Sequence, residues 1–222
     1  MKLTNETLEI LKNFSIINNG IQFKKGKVIK TISPAKNVLA RAELKDEFSQ
    51  DFCVYDLGSF LNVQSVHKDA DISFKDKNII FESGRSITQY RMAEPTTIQI
   101  PPEKNISLGD PDCSFSLSKE DYELALKVSS ILSSPNVAFN SDGKTIKIVC
   151  YDSNDNSAHT NSTIIAEGNG KTFNCVLKVE NFKMIVDEYD VEISFQGPIH
   201  FKNKTGTIEY WIMSEANSIF GE

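Results

Sequence analysis

The stretch KKGKVIK, Lys24 to Lys30, has a counterpart 117 residues later in SDGKTIK, Ser141 to Lys147. Gly26, Lys27 and Ile29 fall on Gly143, Lys144 and Ile146, and a short alternating run leads into each, IQF from Ile21 and VAF from Val137. A strand, a glycine turn and a second alternating strand predict a β-hairpin, because glycine takes the positive φ that a tight turn requires. The second copy also spells Gly-Lys-Thr, the tail of a phosphate-binding loop, as does EGNGKTF at Gly170-Lys171-Thr172. Such a loop needs a further glycine five positions before the Gly-Lys, on a turn that opens a helix, so that backbone amides converge on the anion. Those positions hold Ala138 and Ile165, and no helical pattern follows either tripeptide. The tripeptides belong to hairpins.

The match extends in both directions. LEILKNF, Leu8 to Phe14, aligns with ELALKVS, Glu123 to Ser129, and sets Lys12 opposite Lys127. ISF occurs at Ile72 to Phe74 and again at Ile193 to Phe195. IIFESGRSITQYRM from Ile79 resembles IHFKNKTGTIEYWIM from Ile199, pairing Phe81 with Phe201, Tyr90 with Tyr210 and Met92 with Met213. Ahead of each lies a short apolar-periodic stretch that reads as a helix, DLGSFLNV from Asp56 and VENFKMIV from Val179. The chain therefore divides into two modules, residues 1–108 and 109–222, each reading helix, strands, helix, strands. The connector lies near Thr96 to Asp112, where prolines and a glycine interrupt pairing. Two copies of a repeat this long are a duplicated domain, not a solenoid.

Thr4 and Ser118 are N-caps for the first helix of each module, with Asp121 completing a capping box after Ser118. The first helix should bury Leu8, Leu11 and Phe14 and turn Asn5, Glu9, Lys12 and Asn13 outward. In the second module Leu124, Ala125, Val128, Ile131 and Leu132 share the apolar face, opposite Glu123, Lys127 and Ser130.

Composition narrows the function. A chain of 222 residues with 40% hydrophobic and 24% charged residues is globular, and no apolar run approaches the ~18 residues of a membrane span. The net charge of −6 argues against a generally basic nucleic-acid binder. Cys53, Cys113, Cys150 and Cys175 lie far apart and read as reduced, buried thiols. His67, His159 and His200 form no zinc pattern. DSNDNSAH from Asp152 resembles a calcium loop, but Ser157 replaces the required glycine and Thr163 stands where the bidentate glutamate belongs. No nucleophile, base or metal set is brought together by local spacing, so the reading is a non-enzyme with no cofactor and no metal.

Two copies of helix, strands, helix, strands, an acidic chain with lysines on helix outer faces, and no catalytic cluster follow the plan of a DNA sliding clamp. MKLTNETLEILKNFSIINNGIQFKKG, VYDLGSFL from Val54 and the ALKVS segment around Lys127 resemble the sliding clamps of T-even-type bacteriophages, and the resemblance runs nearly end to end. It implies an α+β fold of two tandem clamp modules, helices on one face of antiparallel sheets, in a DNA polymerase processivity factor that closes into a ring as a head-to-tail homotrimer. It further implies double-stranded DNA encircled without sequence preference, a DNA polymerase and an ATP-dependent clamp loader as partners, support of late transcription with its factors and the host RNA polymerase, no membrane, and the cytoplasm of the infected bacterial host.

Carried over residue by residue, the resemblance makes Lys12 and Lys127 the DNA-facing positions, joined by Lys2, Lys119, Lys178 and Lys183. Ser130 stands where the family can have a basic residue. Ile98, Ile100, Pro101, Tyr210 and Ile212 are expected to wall a pocket for partner peptides near the connector. The last strand of module one, Ile87 to Met92 with Ile87 and Tyr90, is expected to pair across subunits with an edge near Thr160 to Ile165, including Thr163, Ile164 and Ile165. Two other readings stand beside this one: a non-catalytic scaffold with the duplicated fold that does not encircle DNA, and an enzyme assembled from distant carboxylates.

Overall fold

Thr4 caps helix α1 (Asn5–Ile17). Its hydroxyl accepts the Thr7 amide at 3.3 Å, and its own amide and hydroxyl both reach the Asp46 carboxylate. Ser118 does the same for α3 (Lys119–Ile131), accepting the Asp121 amide at 3.1 Å while its hydroxyl donates to the Asp121 carboxylate at 2.6 Å. These contacts satisfy amides that a helix start would otherwise leave unpaired. The computed structural model describes residues 1–67, 70–103 and 109–221. Part of the expected connector, 104–108, lies outside the described residues. The chain forms two compact units, Met1–Glu103 and Lys104–Glu222.

In the first unit, β1 (Ile21–Phe23), β2 (Gly26–Ile32), β3 (Val38–Phe48) and β4 (Phe52–Val54) form an antiparallel sheet in the order β4-β1-β2-β3. After α2 (Leu57–Val66), the strands β5 (Asp71–Lys75), β6 (Asn78–Ser83) and β7 (Ser86–Arg91) make a second sheet with β6 in the middle. The helices pack against each other, and α1 against β2 and β3. Phenylalanines fill the interior: Phe23 stacks on Phe52 at 4.4 Å between centroids, and Phe60 of α2 meets Phe81 of β6 edge-on at 5.3 Å. Each fully buried ring is worth about 1.5–3 kcal/mol of transfer free energy.

The second unit contains β8 (Cys113–Leu117), α3, and then β9 (Asn136–Asp142), β10 (Thr145–Tyr151), β11 (Asn161–Glu167), β12 (Thr172–Lys178), β13 (Tyr189–Ile193), β14 (Ile199–Asn203), β15 (Ile208–Ile212) and β16 (Ile219–Phe220). One sheet runs β11-β10-β9-β12-β16, the other β8-β13-β14-β15, both antiparallel. Tyr122, Phe139, Phe182, Tyr189 and Phe201 are buried together, in ring contact from 5.0 to 6.3 Å. Among the described residues no helix is long and apolar enough to cross a membrane.

The paired hairpins that the sequence predicts are β1–β2 and β9–β10. Their turn glycines, Gly26 and Gly143, have φ of +111° and +88°. The two Gly-Lys-Thr tripeptides lie side by side: the Gly168 amide donates to the Lys144 carbonyl at 2.7 Å, and Gly170 to Gly143 at 2.9 Å. The backbones approach so closely that a Cβ on Gly168 would stand 2.5 Å from the Gly143 carbonyl oxygen.

Three expectations need correction. VENFKMIV forms no helix. The Phe182 amide closes one turn onto Lys178 and Val179, but the backbone of 182–184 is then taken by the buried Tyr122 hydroxyl. Among the described residues the second unit therefore has one α-helix where the first has two. The ISF triplets are out of register: with Phe81 set on Phe201, Ile72 faces Phe81 and Val191 faces Phe201, so Val191 is the counterpart of Ile72. The tyrosine match also slips by two, since Tyr90 opposes Ile79 while Tyr210 opposes Phe201. The cause is turn length. The β6–β7 turn closes between Ser83 and Ser86, whereas β14–β15 needs a longer loop.

The helical stripes differ as well. In α1 the buried residues are Thr7, Ile10, Leu11 and Phe14, with Leu8 only half-buried. In α3 they are Tyr122, Ala125 and Ser129, while Leu124 and Ile131 are exposed. Tyr122, which the expected stripe left out, is fully buried, whereas Leu124 is 42% exposed.

Candidate nucleic-acid interface

Burial fixes the rotational register of the two first helices. Thr7, Ile10 and Phe14 fall on Tyr122, Ala125 and Ser129 at one constant offset, and that offset sets Lys12 on Lys127. Both lysines are exposed. Each lies on the side of its helix turned away from its own unit's core, so each unit offers an anion an equivalent charge. Lys127 is also held at 3.1 Å by Glu123, one turn earlier. Such an exposed i,i+4 pair contributes about 0.3–0.5 kcal/mol and yields readily to a phosphate. Charges elsewhere on these helices do not favour DNA. Glu6 and Glu9 accompany Lys12, and Glu120, Asp121 and Glu123 accompany Lys119 and Lys127, while α2 carries no charge. Exposed Ser130 adds none.

The other expected DNA-facing lysines are exposed but dispersed. Lys2 precedes α1, Lys119 opens α3, Lys178 ends β12 at 3.8 Å from Glu180, and Lys183 follows the single turn after β12.

Of the expected pocket residues, Tyr210 and Ile212 are fully buried in the second unit, and the Tyr210 hydroxyl accepts the Ile185 amide at 3.2 Å. They are core residues, not pocket walls. Ile98, Ile100 and Pro101 are half-buried in the first unit. Ile98 is seated against Gly20, where a Cβ would lie 2.8 Å from its Cγ2.

The edge residues divide in two. Tyr90 turns inward, its ring edge-on to Phe60 and its hydroxyl donating to the Asp56 carbonyl at 2.8 Å. Ile87 on β7 and Ile164 on β11 remain 60% and 64% exposed, and each strand is the last of its sheet. Thr163 and Ile165 are half-buried beside Ile164.

Sequence reasoning missed a second equivalence. Ile16 and Ile131, 62% and 79% exposed, follow Lys12 and Lys127 by one turn and lie just beyond the aligned segments that paired the lysines. It also gave no role to Lys171. Its ammonium is 2.7 Å from Asp112 and 5.4 Å from the Phe195 ring centre, and Asp112 accepts the Phe195 amide as well. Lys171 and that amide hold the Asp112 carboxyl below its ordinary value. The Asp152 and Asp155 carboxylates accept amides of their own loop, and among the described residues no group of three His, Cys, Asp or Glu could hold a metal ion. All four cysteines are buried free thiols, and desolvation raises Cys175 to about 12.

A family model described as DNA polymerase processivity factor matches residues 4–100. The sliding clamp of Vibrio phage KVP40 is 31% identical across 97% of this chain and 100% of its own length. That of Escherichia phage RB69 is 33% identical across 98% of both. The chain belongs to the phage sliding clamps. The sliding clamp of Enterobacteria phage T4 agrees, at 32% identity over 89% of both chains. Among solved structures, the clamp resembles A. fulgidus PCNA, seen with the C-terminal region of FEN-1, at a TM-score of 0.69 and 15% identity over 96% of both chains. The H. pylori beta clamp gives a TM-score of 0.70 at 13% identity, covering 94% of this chain and 63% of that one. At these identities the likeness is one of fold, an α+β arrangement of helices on antiparallel sheets. As a processivity factor, the clamp serves replication without catalysing a reaction, which removes the distant-carboxylate enzyme. Nothing in these comparisons favours the scaffold that does not encircle DNA.

Proposed function

We propose that three copies of this clamp close head to tail around duplex DNA and tether a DNA polymerase to it. The observation that carries the reading is a pair of open sheet ends of similar length. β7 in the first unit and β11 in the second each present one outward isoleucine, Ile87 and Ile164. An exposed edge with an apolar side chain templates aggregation unless a partner strand covers it. Two different edges on one chain make a heterologous contact, which closes into a ring when the rotation allows.

Lys12 and Lys127, with Lys2, Lys119, Lys178 and Lys183, face the duplex in this ring. Lysine suits loose contact because it is a flexible point charge that reads no base. The acidic residues on the same helices keep affinity low, so topology and not attraction retains the clamp. Ile98, Ile100 and Pro101 take part in partner contacts. An ATP-dependent clamp loader opens the ring, and the loaded clamp also supports late transcription with its factors and the host RNA polymerase, in the cytoplasm of the infected bacterium.

The test is retention on circular DNA. Labelled clamp, loaded with loader and ATP onto a nicked circle, should survive a moderate salt wash in gel filtration and escape once the circle is cut. Equal retention on circle and linear form means ordinary binding and ends the ring reading.

A further inference from the structure

β7 and β11 carry the same alternation in opposite directions. From Ile87 to Tyr90 the residues run exposed, half-buried, exposed, half-buried, and from Ile164 back to Asn161 they run the same way. The inward positions are fixed within each unit. The Thr88 hydroxyl is 2.7 Å from His67 Nε2, and the Tyr90 ring meets Phe60. Thr163 and Asn161 stand across from the buried Ile148 and Cys150. Because side chains alternate faces along a strand, a slip of one residue would set every inward group against an outward one.

β11 also carries a register mark. Ile146 faces Ala166 and Lys147 faces Ile164, so Ile165 is the extra residue of a β-bulge, left without a partner on β10. A strand that meets β11 antiparallel, the direction of the β6–β7 and β10–β11 ladders, can place Ile87 opposite Ile164 and Gln89 opposite Ser162. If it passes over Ile165 as β10 does, Arg85 then falls opposite Glu167. Both are exposed, and among the described residues neither makes an ion pair within the chain. A displacement of two residues one way sets Ile164 against Arg85 and leaves both isoleucines without an apolar partner. Displacement the other way puts the bulge in the middle of the ladder.

We propose that two copies of this chain join in this one register, with Ile87 opposite Ile164, Gln89 opposite Ser162 and an ion pair between Arg85 and Glu167 beyond the bulge. The inference rests on the ring reading and adds what aligns the seam. The isoleucine pair supplies apolar contact, and the bulge and the ion pair select the register from its neighbours two residues away. Only a second copy of the chain supplies both halves of the match.

Non-reducing electrophoresis of cysteine variants of the full chain tests the register, with sedimentation of the same samples reporting association. Residues directly opposite lie about 4.5–5.5 Å apart at Cα, within the roughly 4.4–6.8 Å that a disulfide spans, whereas a displacement of two residues opens the gap to about 7–8 Å. Gln89→Cys with Ser162→Cys, both at exposed positions, should form covalent dimers and trimers under mild oxidation with copper phenanthroline. Gln89→Cys with Ile164→Cys and Arg91→Cys with Ser162→Cys should not, nor should the wild type, whose four thiols are buried. Arg85→Glu should weaken association about fivefold, and Glu167→Arg in the same chain should restore it. A displaced pair that cross-links in place of Gln89 and Ser162 overturns the register. So does a Gln89–Ser162 variant that sediments as the wild type yet forms no covalent oligomer. Failure of Glu167→Arg to rescue Arg85→Glu overturns the ion pair. A wild-type chain that stays monomeric ends the ring reading itself, and this seam with it.

Discussion

The Tyr122 hydroxyl and the Met184 backbone bond in both directions. The Met184 amide donates to the hydroxyl at 2.8 Å, and the hydroxyl proton is shared between the Met184 and Phe182 carbonyls, each at 3.1 Å. One buried side chain thus satisfies three backbone groups that a helix would have paired internally. Tyr122→Phe should therefore cost about 2–3 kcal/mol, since buried groups are left unsatisfied while the ring still packs. Urea unfolding measures it, and a loss under 1 kcal/mol would show that the hydroxyl does not hold this segment.

Reversing Lys12 and Lys127 together to Glu should leave subunit assembly intact and slow loading onto primed DNA by about tenfold, because repulsion replaces attraction at equivalent points of both modules. Sedimentation and a polymerase extension assay read the two effects separately. Normal extension at moderate salt would take these lysines away from the duplex.

Ile164→Asp and Ile87→Asp should each weaken association by about 2 kcal/mol or more, because a charge would be buried between paired strands. Each module should keep its own melting behaviour. If both variants sediment as the wild type does, β7 and β11 are not the subunit contact.

Asp112 has a testable pH signature. Its folded pKa is depressed, first by Lys171 and then by the Phe195 amide. Its contribution is present above the ordinary aspartate value of about 3.9 and is lost as pH falls through the folded value. Asp112→Asn should be less stable than wild type at pH 7, with the gap narrowing towards pH 3. A gap that stays constant would mean that the carboxylate charge plays no part.

The sequence made the duplication legible because its signals are local. Turn glycines at 26 and 143, caps at Thr4 and Ser118, and lysines at one offset all act within a few residues of themselves. What it obscured depends on distant partners. VENFKMIV has helical spacing, but Tyr122, some sixty residues earlier, claims its backbone. Tyr210 looked like a pocket wall because a strand residue near the connector can face either way, and only the sheet decides that it faces in. Ile87 and Ile164 were legible as edge residues, yet Tyr90 was not separable from Ile87 until Phe60 drew its ring inward.

The interlocked turns at Gly143 and Gly168 have a consequence for anyone recombining clamps. Each turn fills the space in which the other would carry a side chain, so the two are inherited as one part. A chimera with a crossover between residues 144 and 168 joins turns that were never fitted to each other. A crossover in the loop after Gly206 leaves the fit untouched.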